Sequence, residues 1–240
     1  MDRETLARYL SQRKELGEGD IVFSRLSGDE ALALARARPA APAGETSAPL
    51  SGDYEEVRRT ALACERCRLA GGRTQVVFSD GNPRGRLVVI GEAPGMHEDR
   101  TGLPFVGRAG KLLDLLLASV GLSRKDSVYI CNVLKCRPPG NRNPMPDEIE
   151  ACTPYLERQI ELVAPEVILA VGGFAAQFIT GRQVALGKLR GEIYDYRGVP
   201  ALVTYHPAAL LRNRGWTQAV WDDLQLLRNT MDRTGRSGGG

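Results

Sequence analysis

The side chains best suited to chemistry are the cysteines, five in a chain of 240 residues. Cys64 and Cys67 form a C-x2-C pair, and Cys136 and Cys152 follow 69 and 16 positions later. Four thiolates suit either a zinc ion or a 4Fe-4S cluster. Zinc ribbons pair two close C-x2-C knuckles, which the wide Cys136–Cys152 gap does not resemble, so the spacing leans toward a cluster. Cys131 sits inside the apolar run Tyr129-Ile130-Cys131, where a small buried hydrophobe is expected, and is left outside the ligand set. An odd count with uneven spacing argues against a disulfide framework.

A second set of residues has no metal character. Glu92 lies in Gly91-Glu92-Ala93-Pro94-Gly95-Met96-His97-Glu98-Asp99, a Gly-rich turn that brings backbone N–H groups toward a planar or anionic ligand. The turn lacks the G-x-G-x-x-G spacing and has no Walker lysine, so nucleotide-cofactor binding is weakly supported. Glu92 is read two ways, as a carboxylate that orients or deprotonates water and as a helix-capping acid. Phe105, between Pro104 and Gly107, is a stacking platform for a base or a core side chain. Asn132 offers an amide donor and acceptor to the edge of a base, or serves as a turn residue. His206, fixed by Pro207 in Tyr205-His206-Pro207, reads as functional, whereas His97 among charges reads as solvated.

These groups need a scaffold that brings them together. Apolar, β-branched runs at 87–90, 127–133, 167–171 and 199–205 predict strands, and 54–64, 108–120, 146–163 and 216–231 predict helices. Pro146, with Asp147, Glu148 and Glu150 behind it, marks a helix start. Strands separated by helices imply parallel pairing with helices on both faces, and ligands then sit beyond the strands' carboxyl ends. Glu92, Asn132 and His206 fall at three of those ends.

Composition is that of an ordinary globular protein, 42% apolar and 25% charged. No apolar run approaches the ~18 residues of a membrane helix, and the first residues lack a signal peptide's apolar core. A cytoplasmic protein is therefore expected. Of 32 basic and 29 acidic side chains, 7 and 8 lie in residues 1–52, leaving a balance of +4 beyond them. That balance is compatible with a phosphate-backbone partner without requiring one. Residues 37–52 hold three Pro, five Ala and two Gly, a composition that cannot bury enough surface to order itself. The expected organisation is an accessory arm at 1–36, a linker at 37–52, a domain at 53–232 and a flexible tail at 233–240.

The stretches GEAPGMHEDRTGLPFVGRAGKLLD, NVLKCRPPGNRNPMPDEIEAC and TYHPAALLR, with the upstream CERC, together resemble the family 4 uracil-DNA glycosylases of bacteria and archaea. The likeness runs from about Cys64 to the C-terminal helix. It implies an α/β fold with three layers, α/β/α, around a four-stranded parallel sheet. It implies that Cys64, Cys67, Cys136 and Cys152 hold a structural 4Fe-4S cluster. It assigns a uracil pocket to Glu92, Ala93, Glu98, Phe105, Asn132 and His206, with Glu92 and His206 catalytic and Asn132 facing uracil O4 and N3–H. It implies a monomer acting on uracil in single- or double-stranded DNA. Arg137, Arg142, Arg212 and Arg214 are candidates for phosphate contacts, and Leu210 or Leu211 for the wedge that fills the vacated stack. The related family that traps DNA covalently carries a histidine-bearing insertion after the Asn132 strand. Lys135-Cys136-Arg137-Pro138-Pro139 has none, so no covalent trapping is expected. Met96-His97 departs from the acidic residues common there.

Two other classes remain open on the residues alone. A non-catalytic iron–sulfur DNA-binding module would tolerate loss of Glu92 and Asn132. A zinc protein handling nucleotides would lack a brown chromophore near 400 nm.

Overall fold

The sheet is built from strands that are buried along their whole length. In the computed structural model, which describes residues 50–237, β2 (Leu87–Gly91), β3 (Val128–Asn132) and β4 (Val167–Val171) have no exposed residue. Such runs form where helices cover both faces of a parallel sheet. With β1 (Asp80–Gly81), β5 (Tyr194–Tyr196) and β6 (Val199–Thr204), the sheet has six strands in the order β1-β3-β2-β4-β6-β5. The central β3, β2, β4 and β6 run parallel. These are the four strands expected. The edges β1 and β5 pair antiparallel and correct the expected count. Strands of two and three residues carry no period-2 signal.

Alternation along each strand sorts the core into two layers. Val88, Ile90, Tyr129, Cys131, Ile168, Ala170, Ala201 and Val203 face one side, against α1 (Tyr54–Leu62), α4 (Pro146–Val163) and α5 (Gly173–Thr180). Leu87, Val89, Val128, Ile130, Val167, Leu169, Val171 and Leu202 face the other, against α3 (Arg108–Ala118), α6 (Pro207–Arg212) and α7 (Thr217–Ser237). The result is the expected three-layer α/β/α arrangement. The short helices α2 (Met96–Thr101), α5 and α6 are additions to the sequence reading.

Helix α4 starts as its sequence demands. Pro146 occupies the first turn, and Glu148 Oε2 accepts from Met145 N at 2.9 Å. Glu148 is fully buried, and Arg142 stabilises its charge with two hydrogen bonds of 2.9 and 2.5 Å. Leu50, near the end of the expected linker at 37–52, packs on the first core layer, and Gly52 O accepts from Arg158 Nη2 at 2.7 Å. The arm at 1–36, linker residues 37–49 and tail residues 238–240 lie outside the described residues.

The chain passes from β2 to β3 on one side and from β4 to β6 on the other, so the order reverses between β2 and β4. A crevice beyond the carboxyl ends is the ligand position such a reversal provides.

Candidate functional site

Register sets the first two members side by side. Gly91 and Asn132 are partners across β2 and β3, so Glu92 leaves its strand next to the Asn132 amide. Leu134 N donates to Glu92 O at 3.0 Å, extending the pairing past the strand end. Asn132 is 2% exposed, yet its side-chain amide takes no hydrogen bond from another described residue. Buried amides are normally paired within the protein.

Gly91 makes the approach possible. A Cβ there would stand 2.3 Å from Asn132 Oδ1 and 2.6 Å from Phe105 Cζ, so the amide and the aromatic ring converge on one point. Replacing Gly91 with Ala is expected to push one of them out of place. Overpacking of this kind costs about 1–3 kcal/mol. Thermal melting should fall by several degrees, and the Asn132 amide resonance should shift in the NMR spectrum. An unchanged resonance would contradict the contact.

Phe105 is buried and adopts φ 54°, a left-handed conformation uncommon for a bulky residue. Glu98 sets the loop around it, Oε1 accepting from Val106 N at 3.0 Å and Gly107 N at 2.9 Å. Gly95 leaves room for the other oxygen, Oε2, which a Cβ would meet at 2.7 Å. Glu98 thus shapes the Phe105 loop with at least one of its oxygens.

His206 follows β6 and caps α6. Its Nδ1 accepts from Ala208 N at 3.1 Å. A backbone N–H can only donate, so Nδ1 carries no proton and the neutral ring bears its hydrogen on Nε2. Nε2 takes no partner among the described residues. The ring stacks on Phe105 at 5.5 Å between centroids and 26° between planes. Gly172 packs closely on it: a Cβ there would stand 3.3 Å from His206 Cβ, tighter than an ordinary contact. Burial, and then the Arg212 charge, lower the His206 pKa to about 4, against a smaller opposing pull from Glu98. The imidazole is therefore neutral at physiological pH.

Tyr205 fixes the segment from behind. It stacks on Trp216 at 4.4 Å and lies under Arg190, 4.7 Å from the ring centroid. Arg190 is held in turn by Asp223 at 2.7 Å.

Cys64, Cys67, Cys136 and Cys152 line one pocket with Leu134 and Tyr155, and Cys131 is absent from it. Arg73 Nη1 donates to Cys136 Sγ at 3.3 Å, and Lys135 N donates to Cys152 Sγ at 3.2 Å. Burial pushes up the thiols of Cys67, Cys136 and Cys152, the last to about 12. Among the described residues no three His, Cys, Asp or Glu side chains converge on a point that would hold one metal ion. Lys135, buried three residues past the carboxyl end of β3, donates from Nζ to Asn132 O at 2.7 Å. It ties the cysteine pocket to the strand end that carries the amide.

The expected DNA contacts are placed as follows. Leu210 is 4% exposed and belongs to the second core layer, so of the two wedge candidates Leu211, at 42%, stands in solvent. Arg142 is turned onto Glu148, because a buried carboxylate requires a cation. Arg137 donates from Nε to Asn141 Oδ1 at 2.6 Å, and Arg212 and Arg214 are exposed. Lys135 and Arg124, whose contacts follow below, escaped the sequence reading. A lysine directly after a buried apolar strand end was the available signal for the first.

The family model for the uracil DNA glycosylase superfamily matches residues 78–225. The type-4 uracil-DNA glycosylase of Thermotoga maritima is 44% identical over 185 residues, 75% of this chain and 96% of that protein. The type-4 uracil-DNA glycosylase of Archaeoglobus fulgidus is 46% identical over 165 residues, 65% of this chain and 82% of that protein. The type-5 uracil-DNA glycosylase of Thermus thermophilus is 34% identical over 157 residues, 52% of this chain and 71% of that protein.

Proposed function

The chain belongs to the uracil DNA glycosylase superfamily, and to its type-4 branch, and from that premise we propose that it excises uracil from DNA by hydrolysing the N-glycosidic bond. The observation that carries the reading is the convergence of an unpaired Asn132 amide, the Phe105 ring and the His206 imidazole at the carboxyl ends of β3 and β6.

A base inside a duplex cannot reach such a crevice, so the uridine must leave the stack, at a cost of a few kcal/mol. Phe105 offers the uracil a face, and Ala93 and Glu98 shape the turn and loop beside it. Asn132 donates to uracil O4 and accepts from N3–H, a pattern that cytosine reverses. As the bond to C1′ lengthens, the sugar gains positive charge and the base negative charge. His206 Nε2–H donates to uracil O2, where that negative charge grows. A fixed neutral donor of this kind stabilises the transition state without changing its own charge. Glu92 offsets the charge of the cationic sugar and orients the water that attacks it. The products are free uracil and an abasic site.

The cysteine pocket fits a 4Fe-4S cluster. It has four thiols, apolar walls and N–H donors on two of the sulfurs, which suit thiolates bound to iron. The cluster would tie the Cys64–Cys67 segment to the residues after β3 and to α4, a structural role away from the crevice. Uracil-containing DNA is the partner; monomeric state and cytoplasmic location complete the proposal. Among the described residues no helix is long and apolar enough to cross a membrane.

The direct test is incubation with an oligonucleotide carrying one uracil, followed by alkali; strand scission at the uracil supports the reading, and an intact strand refutes it. Asn132→Asp is expected to reduce uracil excision about 10- to 100-fold, because the ionised carboxylate loses the donor and faces O4 unpaired. Full excision by that variant would move the pocket elsewhere. A chain beginning at Leu50 is expected to retain its turnover, since every proposed site residue lies at or beyond Cys64. A large loss of turnover with unaltered visible absorbance would make residues 1–49 part of the active unit.

A further inference from the structure

Arg124 lies in the turn between α3 and β3, outside every motif considered so far, yet its guanidinium gathers four acceptors from three parts of the fold. Nε donates to Asp114 Oδ1 on α3 at 2.8 Å, and Nη1 to Asp80 Oδ2 on β1 at 2.7 Å. The other contacts are to main chain: Nη1 to Pro104 O at 3.3 Å and Nη2 to Phe105 O at 3.0 Å. The Arg124 side chain is only 18% exposed. We propose that Arg124 is a positioning residue for the uracil pocket, clamping the Pro104–Phe105 main chain so that the Phe105 ring faces the crevice. The proposal rests on the pocket reading given above, in which Phe105 stacks on the flipped base.

The loop explains why a clamp is needed. Phe105 has φ 54°, and a bulky residue keeps that conformation only where its surroundings over-determine it. Glu98 holds the amides after Phe105, and Arg124 holds the carbonyls at and before it. The peptide flanking the ring is fixed from both sides. Gly110 shows how close the packing is. A Cβ at that position would stand 1.7 Å from Phe105 O, so the first turn of α3 leans on the same carbonyl that Arg124 binds.

Geometry calls for arginine here. Only a planar fork presents separate N–H groups to two carboxylates and two carbonyls at once; a lysine ammonium has three donors on one atom. Asp80 and Asp114 balance the guanidinium's charge, while its two carbonyl contacts hold the Phe105 peptide and, through it, the ring on which His206 stacks.

The test is a double-mutant cycle on the full chain. Arg124→Met, with Arg124→Lys as the milder variant should Met fail to fold, is assayed beside Phe105→Ala and the double variant. Readouts are kcat, inhibition by free uracil and melting temperature. Asp114→Asn serves as the control that removes one ion pair and leaves both carbonyl contacts. The expected result is a fall in kcat of about 10- to 100-fold for the Arg124 variants, the size of a small misplacement in a site. Inhibition by free uracil should weaken in parallel. In the Phe105→Ala background, the same Arg124 change should alter kcat less than about twofold, because the ring it positions is gone. Asp114→Asn should lower melting temperature and keep kcat. Multiplicative losses in the double variant, or Arg124 variants with wild-type inhibition by uracil, would overturn the clamp. A Phe105→Ala protein with full kcat and undiminished uracil inhibition would overturn the pocket reading instead.

Discussion

Replacing Cys152 with Ala yields a protein without visible absorbance near 400 nm and with a melting temperature far below that of the parent. The same outcome is expected for Cys64, Cys67 and Cys136, whereas Cys131→Ala keeps the colour. The reason lies in what the thiols hold apart from one another in the chain. Cys64 and Cys67 follow α1, Cys136 follows β3, and Cys152 lies in α4. A cluster ligated by all four is a covalent tie between segments up to 88 positions apart, from Cys64 to Cys152. Metal bound only in the folded state is folding free energy, on the order of 10 kcal/mol for structural zinc sites. The free thiols of Cys67, Cys136 and Cys152 are held protonated by burial, so ligation must supply the positive charge that makes thiolates stable there. Cys131 faces the first core layer and does not line the pocket. Full iron content in Cys152→Ala would sink the assignment, as would loss of iron from Cys131→Ala.

What the sequence made legible is what short-range patterns encode. The four parallel strands are apolar runs bounded by polar turns, and of the polar residues at their ends the fold brings Asn132 and His206 close to the Phe105 ring. Glu92, Asn132 and His206 were identifiable because each directly follows or ends such a run. The wedge candidates show the limit. Leu210 and Leu211 are adjacent and chemically alike, and only the docking of α6 on the second core layer decides that Leu210 is inside. Arg142 shows a second limit. Its partner, Glu148, sits in the first turn of α4, where an acid is expected for the helix dipole, and nothing in the pattern marks that acid as fully buried. Arg124 shows a third. Two of its acceptors are main-chain carbonyls about 20 positions away, and a carbonyl has no residue type to read.

The largest catalytic effect is expected at His206. His206→Asn removes the Nε2–H donor and should lower kcat by about 10²–10³, the usual cost of one preorganised donor. Its pH behaviour separates a neutral donor from an acid. With its pKa lowered to about 4 by burial and by the Arg212 charge, His206 is neutral throughout the range from about pH 5 upward. The excision rate should therefore show no limb near pH 6.5 attributable to this residue. A limb there that vanishes in His206→Asn would mean that the imidazole titrates at its ordinary value and donates as imidazolium. Stability gives an independent reading. The unfolded chain takes up a proton near pH 6.5 and the folded one only near 4, so between these values the unfolded state binds more protons. The stabilising contribution of the neutral, partly buried ring is present in full above pH 6.5 and is lost as pH falls toward 4. Melting temperature of the parent should thus drop more steeply than that of His206→Asn between pH 6.5 and 4. Parallel curves over that window would show that the ring is not held neutral by the fold, and the donor reading would fall with it.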